Sequence, residues 1–93
     1  MEDIPYLKNA SALIVKKIRK RTGLTQSGFA DFCRLSRTHI SNLEIGDRCL
    51  SISSLYLIAQ AAGMEPWEVL KMMEEERRSV ALRDGAPNEA RKR

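Results

Sequence analysis

The sequence predicts an all-α fold, a compact domain of five helices, on three observations. Apolar residues recur at helical spacing through most of the chain. Residues able to cap a helix, notably Thr25, Ser36 and Ser51 or Ser53, stand just ahead of these runs. The chain of 93 residues is 43% hydrophobic but only 5% aromatic, which suits one core packed mainly by Leu, Ile, Val and Ala.

Residues 1–8 read as an N-terminal arm in which Tyr6 and Leu7 are expected to pack against the domain. Asn9 or Ser11 caps a first helix running to about residue 21, where Leu13 or Ile14, Val15 and Ile18 alternate with basic residues until Thr22 and Gly23 end it. Thr25 opens a second helix with Gly28, Phe29, Phe32 and Cys33 on its inner face and Gln26, Asp31 and Arg34 outside. Ser36 opens a third. A fourth helix carries Leu55, Leu57, Ile58, Ala59, Ala61 and Ala62, an apolar surface wide enough for the central packing helix, and Gly63 stops it. The fifth starts at Glu65 and Pro66, where proline costs a helix least, and runs through Trp67, Val69, Leu70, Met72 and Met73 to Arg78. The domain is thus expected over residues 9–78. Residues 79–93 are expected to be a disordered basic tail, since the segment RDGAPNEARKR holds Gly, Pro and charge without apolar periodicity.

The third helix is the unusual one. Only Ile40 and Leu43 are apolar, which leaves Ser36, Arg37, Thr38, Ser41 and Asn42 on the opposite face. A helix that merely covers a core usually shows Lys and Glu to water, whereas short hydroxyls and amides suit the edges of base pairs. Arg can chelate the two major-groove acceptors of guanine, Asn and Gln can pair with adenine, and Thr offers a methyl to thymine. For this helix alone, a short polar surface helix and a groove reader remain equal readings.

The run Ile18-Arg19, Gly23-Leu24-Thr25-Gln26, Phe29-Ala30, Leu35-Ser36-Arg37-Thr38, Ile40-Ser41, Leu43-Glu44 and Gly46 resembles the XRE (Cro/CI-type) helix-turn-helix family. The likeness continues through Ser53, Leu55, Ile58-Ala59, Ala62-Gly63-Met64 and Val69-Leu70, so it covers roughly residues 15–70. Within the family, Arg37-Thr38 and Ile40-Ser41 are most similar to the small controller proteins of restriction-modification systems and related repressors. The resemblance implies a lambda-repressor-like domain that binds double-stranded DNA, as a homodimer on a palindromic operator, to regulate transcription. The third helix would enter the major groove while the second crosses the backbone. On that footing Arg37, Thr38, Ser41, Ser36 and Gln26 are the expected base contacts, with Gln26 also bracing the reading side chains. Thr25, His39, Asn42 and Arg48 are the expected phosphate contacts. The family also pairs an arginine at Arg19 with a glutamate at Glu44, a structural ion pair favoured here over a phosphate contact for Arg19. Departures fall in the connections. Arg34 stands where the family usually has the turn glycine, Gly28 replaces a charged helix former, Ile45 replaces Arg or Asn, and the proline before the fourth helix is missing.

Charge is compatible with this reading. The formal net charge is +4 and the isoelectric point about 9.4. Lys16, Lys17, Arg19, Lys20 and Arg21 cluster ahead of the motif, while Glu65, Glu68, Glu74, Glu75 and Glu76 lie at the other end. An enzyme is the least supported class, because there is one His, no nucleophile motif and no phosphate-cradling glycine loop. No cofactor is expected, and Cys33 and Cys49 lack metal-ligand spacing, so no metal is either. Without a membrane-spanning run or secretory stretch, the chain reads as cytoplasmic.

The fifth helix bears more apolar groups than one face needs. If Val69 and Leu70 serve the core, then Trp67, Met73, Met64 and Tyr56 remain for a two-fold dimer contact, which is preferred to Trp67 closing a monomeric core. The rival reading is an antitoxin or other helical module whose main partner is a protein bound through the fifth helix or the tail.

Overall fold

A computed structural model describes residues 4–84, and five helices account for most of them: α1 (Leu7–Thr22), α2 (Gln26–Cys33), α3 (Arg37–Glu44), α4 (Ile52–Ala62) and α5 (Pro66–Arg83). Local chemistry sets most of their ends. Thr25, Ser36 and Ser51 each adopt extended backbone and accept a hydrogen bond from the N–H three residues on, at 3.1, 3.0 and 3.1 Å. At α5, Pro66 takes the first helical position and Glu65 exchanges a reciprocal capping box with Glu68.

The turn between α2 and α3 forms without glycine. Arg34 sits at φ 63°, ψ 37°, and the N–H groups of Arg34 and Leu35 bond to the carbonyls of Asp31 and Ala30, closing the end of α2. The left-handed conformation is strained for a residue with a Cβ. It persists because α2 and α3 are both anchored in one core.

That core is built by Ile14, Val15, Ile18, Phe29, Ala30, Cys33, Ile40, Leu43, Leu55, Ile58, Ala59, Val69 and Met73. Leu55, Ile58 and Ala59 of α4 join this core, with α4 packed against α2, α1 and α5, and α5 packs on α1. Burial pushes the Cys33 thiol up to about 11, so it serves as a small apolar filler.

Several expectations need correction. The first helix begins at Leu7, not Asn9 or Ser11, so residues 7 and 8 belong to the domain and the arm is shorter. Ser11 is fully buried inside α1, where its hydroxyl accepts the Leu50 N–H at 3.2 Å, and Ile14 rather than Leu13 faces the core. Phe32 is 62% exposed. On a helix whose buried direction runs through Phe29, Ala30 and Cys33, position 32 falls on the flank. On α5 the inward line is Val69 and Met73, four residues apart, so Met73 is 4% exposed and unavailable as a dimer contact, while Leu70 is 54% exposed. Finally, α5 runs past residue 78 to Arg83, because Ala81 buries its methyl against the domain. The expected tail therefore does not start at residue 79, and residues 85–93 lie outside the described residues.

Candidate nucleic-acid interface

The geometry of α3 follows from its eight residues, RTHISNLE. Ile40 and Leu43 are fully buried and Glu44 is 4% exposed, which fixes the helix rotation. The remaining face is turned outward: Ser36, Arg37, Thr38 and His39 are exposed, and Ser41 and Asn42 half-buried. The side chains of Arg37, Thr38, Ser41, Asn42 and Arg48 make no hydrogen bond or ion pair among the described residues, so their donors and acceptors are free for an external partner.

Behind this face, one carboxylate joins three elements. Arg19 donates from Nε to Glu44 Oε2 at 2.6 Å and from Nη2 to Oε1 at 3.1 Å, and its Nη1 bonds the Leu24 carbonyl at 3.0 Å. Gln26 Nε2 reaches Glu44 Oε1 at 3.2 Å. This two-pronged contact is the strong form of a charge-assisted hydrogen bond. Burial pushes the Glu44 carboxyl up, but the hydrogen bonds from Arg19 and Gln26 and the charges of Arg19 and Lys16 outweigh it and hold the group below the usual carboxylate range. The ends of α1 and α3 and the start of α2 are thereby held in register. Gln26 gives an amide N–H to Glu44, and its amide oxygen has no hydrogen-bond partner among the described residues.

Around the first turn of α3 lies a cleft of about 220 Å³ lined by Ser36, Thr38, His39, Asn42 and Arg48. Thr25, the cap of α2, has its hydroxyl engaged with the Gly28 N–H. A second basic surface, with Lys16, Lys17, Lys20 and Arg21 around the half-exposed Leu13, occupies the outer face of α1. Of the expected dimer residues, Trp67 is 63% and Tyr56 54% exposed, whereas Met64 packs partly into the core. Sequence reasoning missed Ser54, which is 2% exposed and places Oγ 3.1 Å from His39 Nε2. A contact across fifteen residues leaves no periodic trace.

Two short helices joined by a tight turn, the second showing an unengaged polar face and both locked to a third helix, define a helix-turn-helix DNA-binding domain. Comparison with known proteins places it: the family model described as Helix-turn-helix matches residues 15–68, and the chain belongs to that family of DNA-binding transcription regulators, in its XRE-type branch. It is 32% identical over 66 residues to Control protein C.BamHI of Bacillus amyloliquefaciens, covering 67% of this chain and 82% of that protein. It is 45% identical over 47 residues to the competence pilus inhibition repressor of Acinetobacter baylyi, half of this chain, which spans only 43% of the repressor's length. Among solved structures, the restriction-modification controller protein C.Esp1396I superposes with a TM-score of 0.67 at 34% identity, over 76% of this chain and 91% of that one.

Proposed function

We propose that the protein is a controller-type transcriptional regulator that binds a palindromic operator as a homodimer. The outward face of α3 carries the reading: Arg37, Thr38, Ser41 and Asn42, whose side chains are unengaged among the described residues, on a helix held by the Arg19–Glu44–Gln26 contact. In this reading α3 lies in the major groove. Arg37 chelates a guanine, Thr38, Ser41 and Ser36 meet neighbouring base edges, and the free oxygen of Gln26 braces them. His39, Asn42 and Arg48, with the start of α2 at Thr25, hold phosphates on either side. A single eight-residue reading helix supplies little affinity, and pairing through Trp67, Tyr56 and the edge of Met64 doubles both the phosphate contacts and the sequence read. The two half-sites would then lie roughly 34 Å apart.

Selection of bound fragments from random DNA, followed by sequencing, yields the operator and its half-site spacing together. On that operator, Arg37→Ala should lose about 1–3 kcal/mol at one base position, while Arg48→Ala should weaken all single-base variants nearly alike. A uniform loss for Arg37→Ala would remove it from base reading. The exposed Trp67 and Leu70 also fit a protein partner as the main ligand. Copurification with a partner, in place of a self-associated dimer, would favour that second reading.

A further inference from the structure

We infer that Ser54 is a positioning residue for DNA binding: through a hydroxyl relay from the cap of α4 it fixes the ring of His39 so that its Nδ1–H faces the cleft as a phosphate donor. The inference rests on the proposed DNA reading and adds to it a residue that itself touches no DNA.

Hydrogen-bond accounting carries the argument. Ser51 Oγ accepts the Ser54 N–H at 3.1 Å, and its own proton goes to Ser54 Oγ at 2.9 Å. Ser54 Oγ, having accepted, keeps one proton to give, and its remaining partner is His39 Nε2 at 3.1 Å. In the inferred relay the Ser54 O–H points at Nε2, which accepts, and the neutral ring then carries its proton on Nδ1; a relay run the other way, from an Nε2–H inward to Ser51, is the alternative that the spectrum below distinguishes. No group among the described residues takes that proton. His39 is exposed and lines the cleft together with Arg48, Asn42 and Thr38, so that proton is open to an outside acceptor.

The relay begins at the first turn of α4, whose N-terminus is the positive end of the helix dipole, and this favours moving protons outward from Ser51 toward His39. Ser54 is buried and every hydroxyl in the chain of bonds is satisfied, so the ring is held at one edge without being covered. The cleft thus combines a preset imidazole N–H, a guanidinium and an amide, which suits a phosphodiester oxygen. Since phosphate contacts carry no base identity, Ser54 should affect all sequences equally.

The chain has one histidine, so its ring nitrogens can be followed without ambiguity by two-bond ¹H–¹⁵N spectra of the ¹⁵N-labelled full chain. At about pH 8, where an ordinary imidazole is neutral, the wild-type spectrum should show Nδ1 protonated and Nε2 bare. Ser54→Ala should return the ring to the Nε2–H form that free histidine favours. A wild-type spectrum dominated by Nε2–H overturns the inference and requires no variant to fold.

The second measurement is anisotropy of the selected operator duplex. Ser54→Ala should weaken binding by about threefold to tenfold, the range for one hydrogen bond, equally across base variants, and should add nothing in a His39→Ala background. Independent, additive losses would show Ser54 acting only through stability and would overturn the positioning role. Failure of the wild type to bind any duplex would overturn the functional reading, and the phosphate role with it, whatever the spectrum shows.

Discussion

The two ends of the molecule dispose of their side chains in opposite ways. Within α3 the apolar groups are inside and the outward groups are polar, with Ile40 and Leu43 fully buried and the side chains of Arg37, Thr38 and Asn42 unengaged among the described residues. At the start of α5 the outward groups are apolar: Trp67 and Leu70, three residues apart on one flank, are 63% and 54% exposed, with Tyr56 of α4 at 54%. The first surface suits a hydrated, hydrogen-bonding polymer and the second suits another apolar face. The α3 end is also braced from within by a buried carboxylate. One surface is polar and the other apolar, as expected if each meets a different partner.

The sharpest way to break this contrast is to remove the brace. Glu44→Ala leaves Arg19 and Gln26 without their acceptor, and loss of one partner of a buried pair costs about 3 kcal/mol. Glu68→Ala removes only half of a capping box, about 1 kcal/mol. Thermal melts should separate the two variants by roughly 10 °C for a domain of this size, and equal midpoints would reject the brace. Acid tests the same group. Because the folded-state pKa of Glu44 is lowered, its contribution is present above the unfolded value of about 4.3 and is lost as pH falls through the folded one. The melting temperature should therefore fall below about pH 4, and less steeply in Glu44→Gln, which lacks the titrating group.

The opposite end is probed by Trp67→Glu. Trp67 contributes little to the monomer's core, so the monomer should melt near the wild-type temperature at low concentration. Self-association should weaken by about 2 kcal/mol, the scale of a central aromatic anchor, as read by sedimentation. An unchanged dimer would move the interface elsewhere.

Features made by residues three or four apart were legible in the sequence. The caps Thr25, Ser36 and Ser51, the stop at Gly63 and the inward pair Ile40 and Leu43 are all interactions within one helical turn. Helix rotation was less legible wherever apolar residues occupied two adjacent flanks. Phe32 is as apolar as Phe29, and Leu70 as apolar as Met73, so composition alone could not tell which flank the neighbouring helix would cover. The length of α5 depended on Ala81, one small side chain meeting the rest of the domain. Within the site, the polar face of α3 could be read from its own eight residues, but the contact between His39 and Ser54 exists only once the tertiary fold brings the first turn of α4 to that side chain.

The smallest expected effect concerns the one weak spot in the motif. Gly28 lies within α2, where glycine costs about 1 kcal/mol relative to alanine because it gives up more backbone freedom on folding. A Cβ there would sit 3.4 Å from Thr25 Oγ1, 3.6 Å from Leu24 Cδ2 and 3.7 Å from Leu24 Cβ, ordinary van der Waals distances, so no overlap opposes the propensity gain. Gly28→Ala should therefore raise stability by about 1 kcal/mol in chemical denaturation. DNA affinity discriminates further. If α2 presents its first free N–H groups to a phosphate, a methyl beside Thr25 should leave binding unchanged or crowd the phosphate, and a variant that is more stable but binds less tightly would place the phosphate directly over the start of α2.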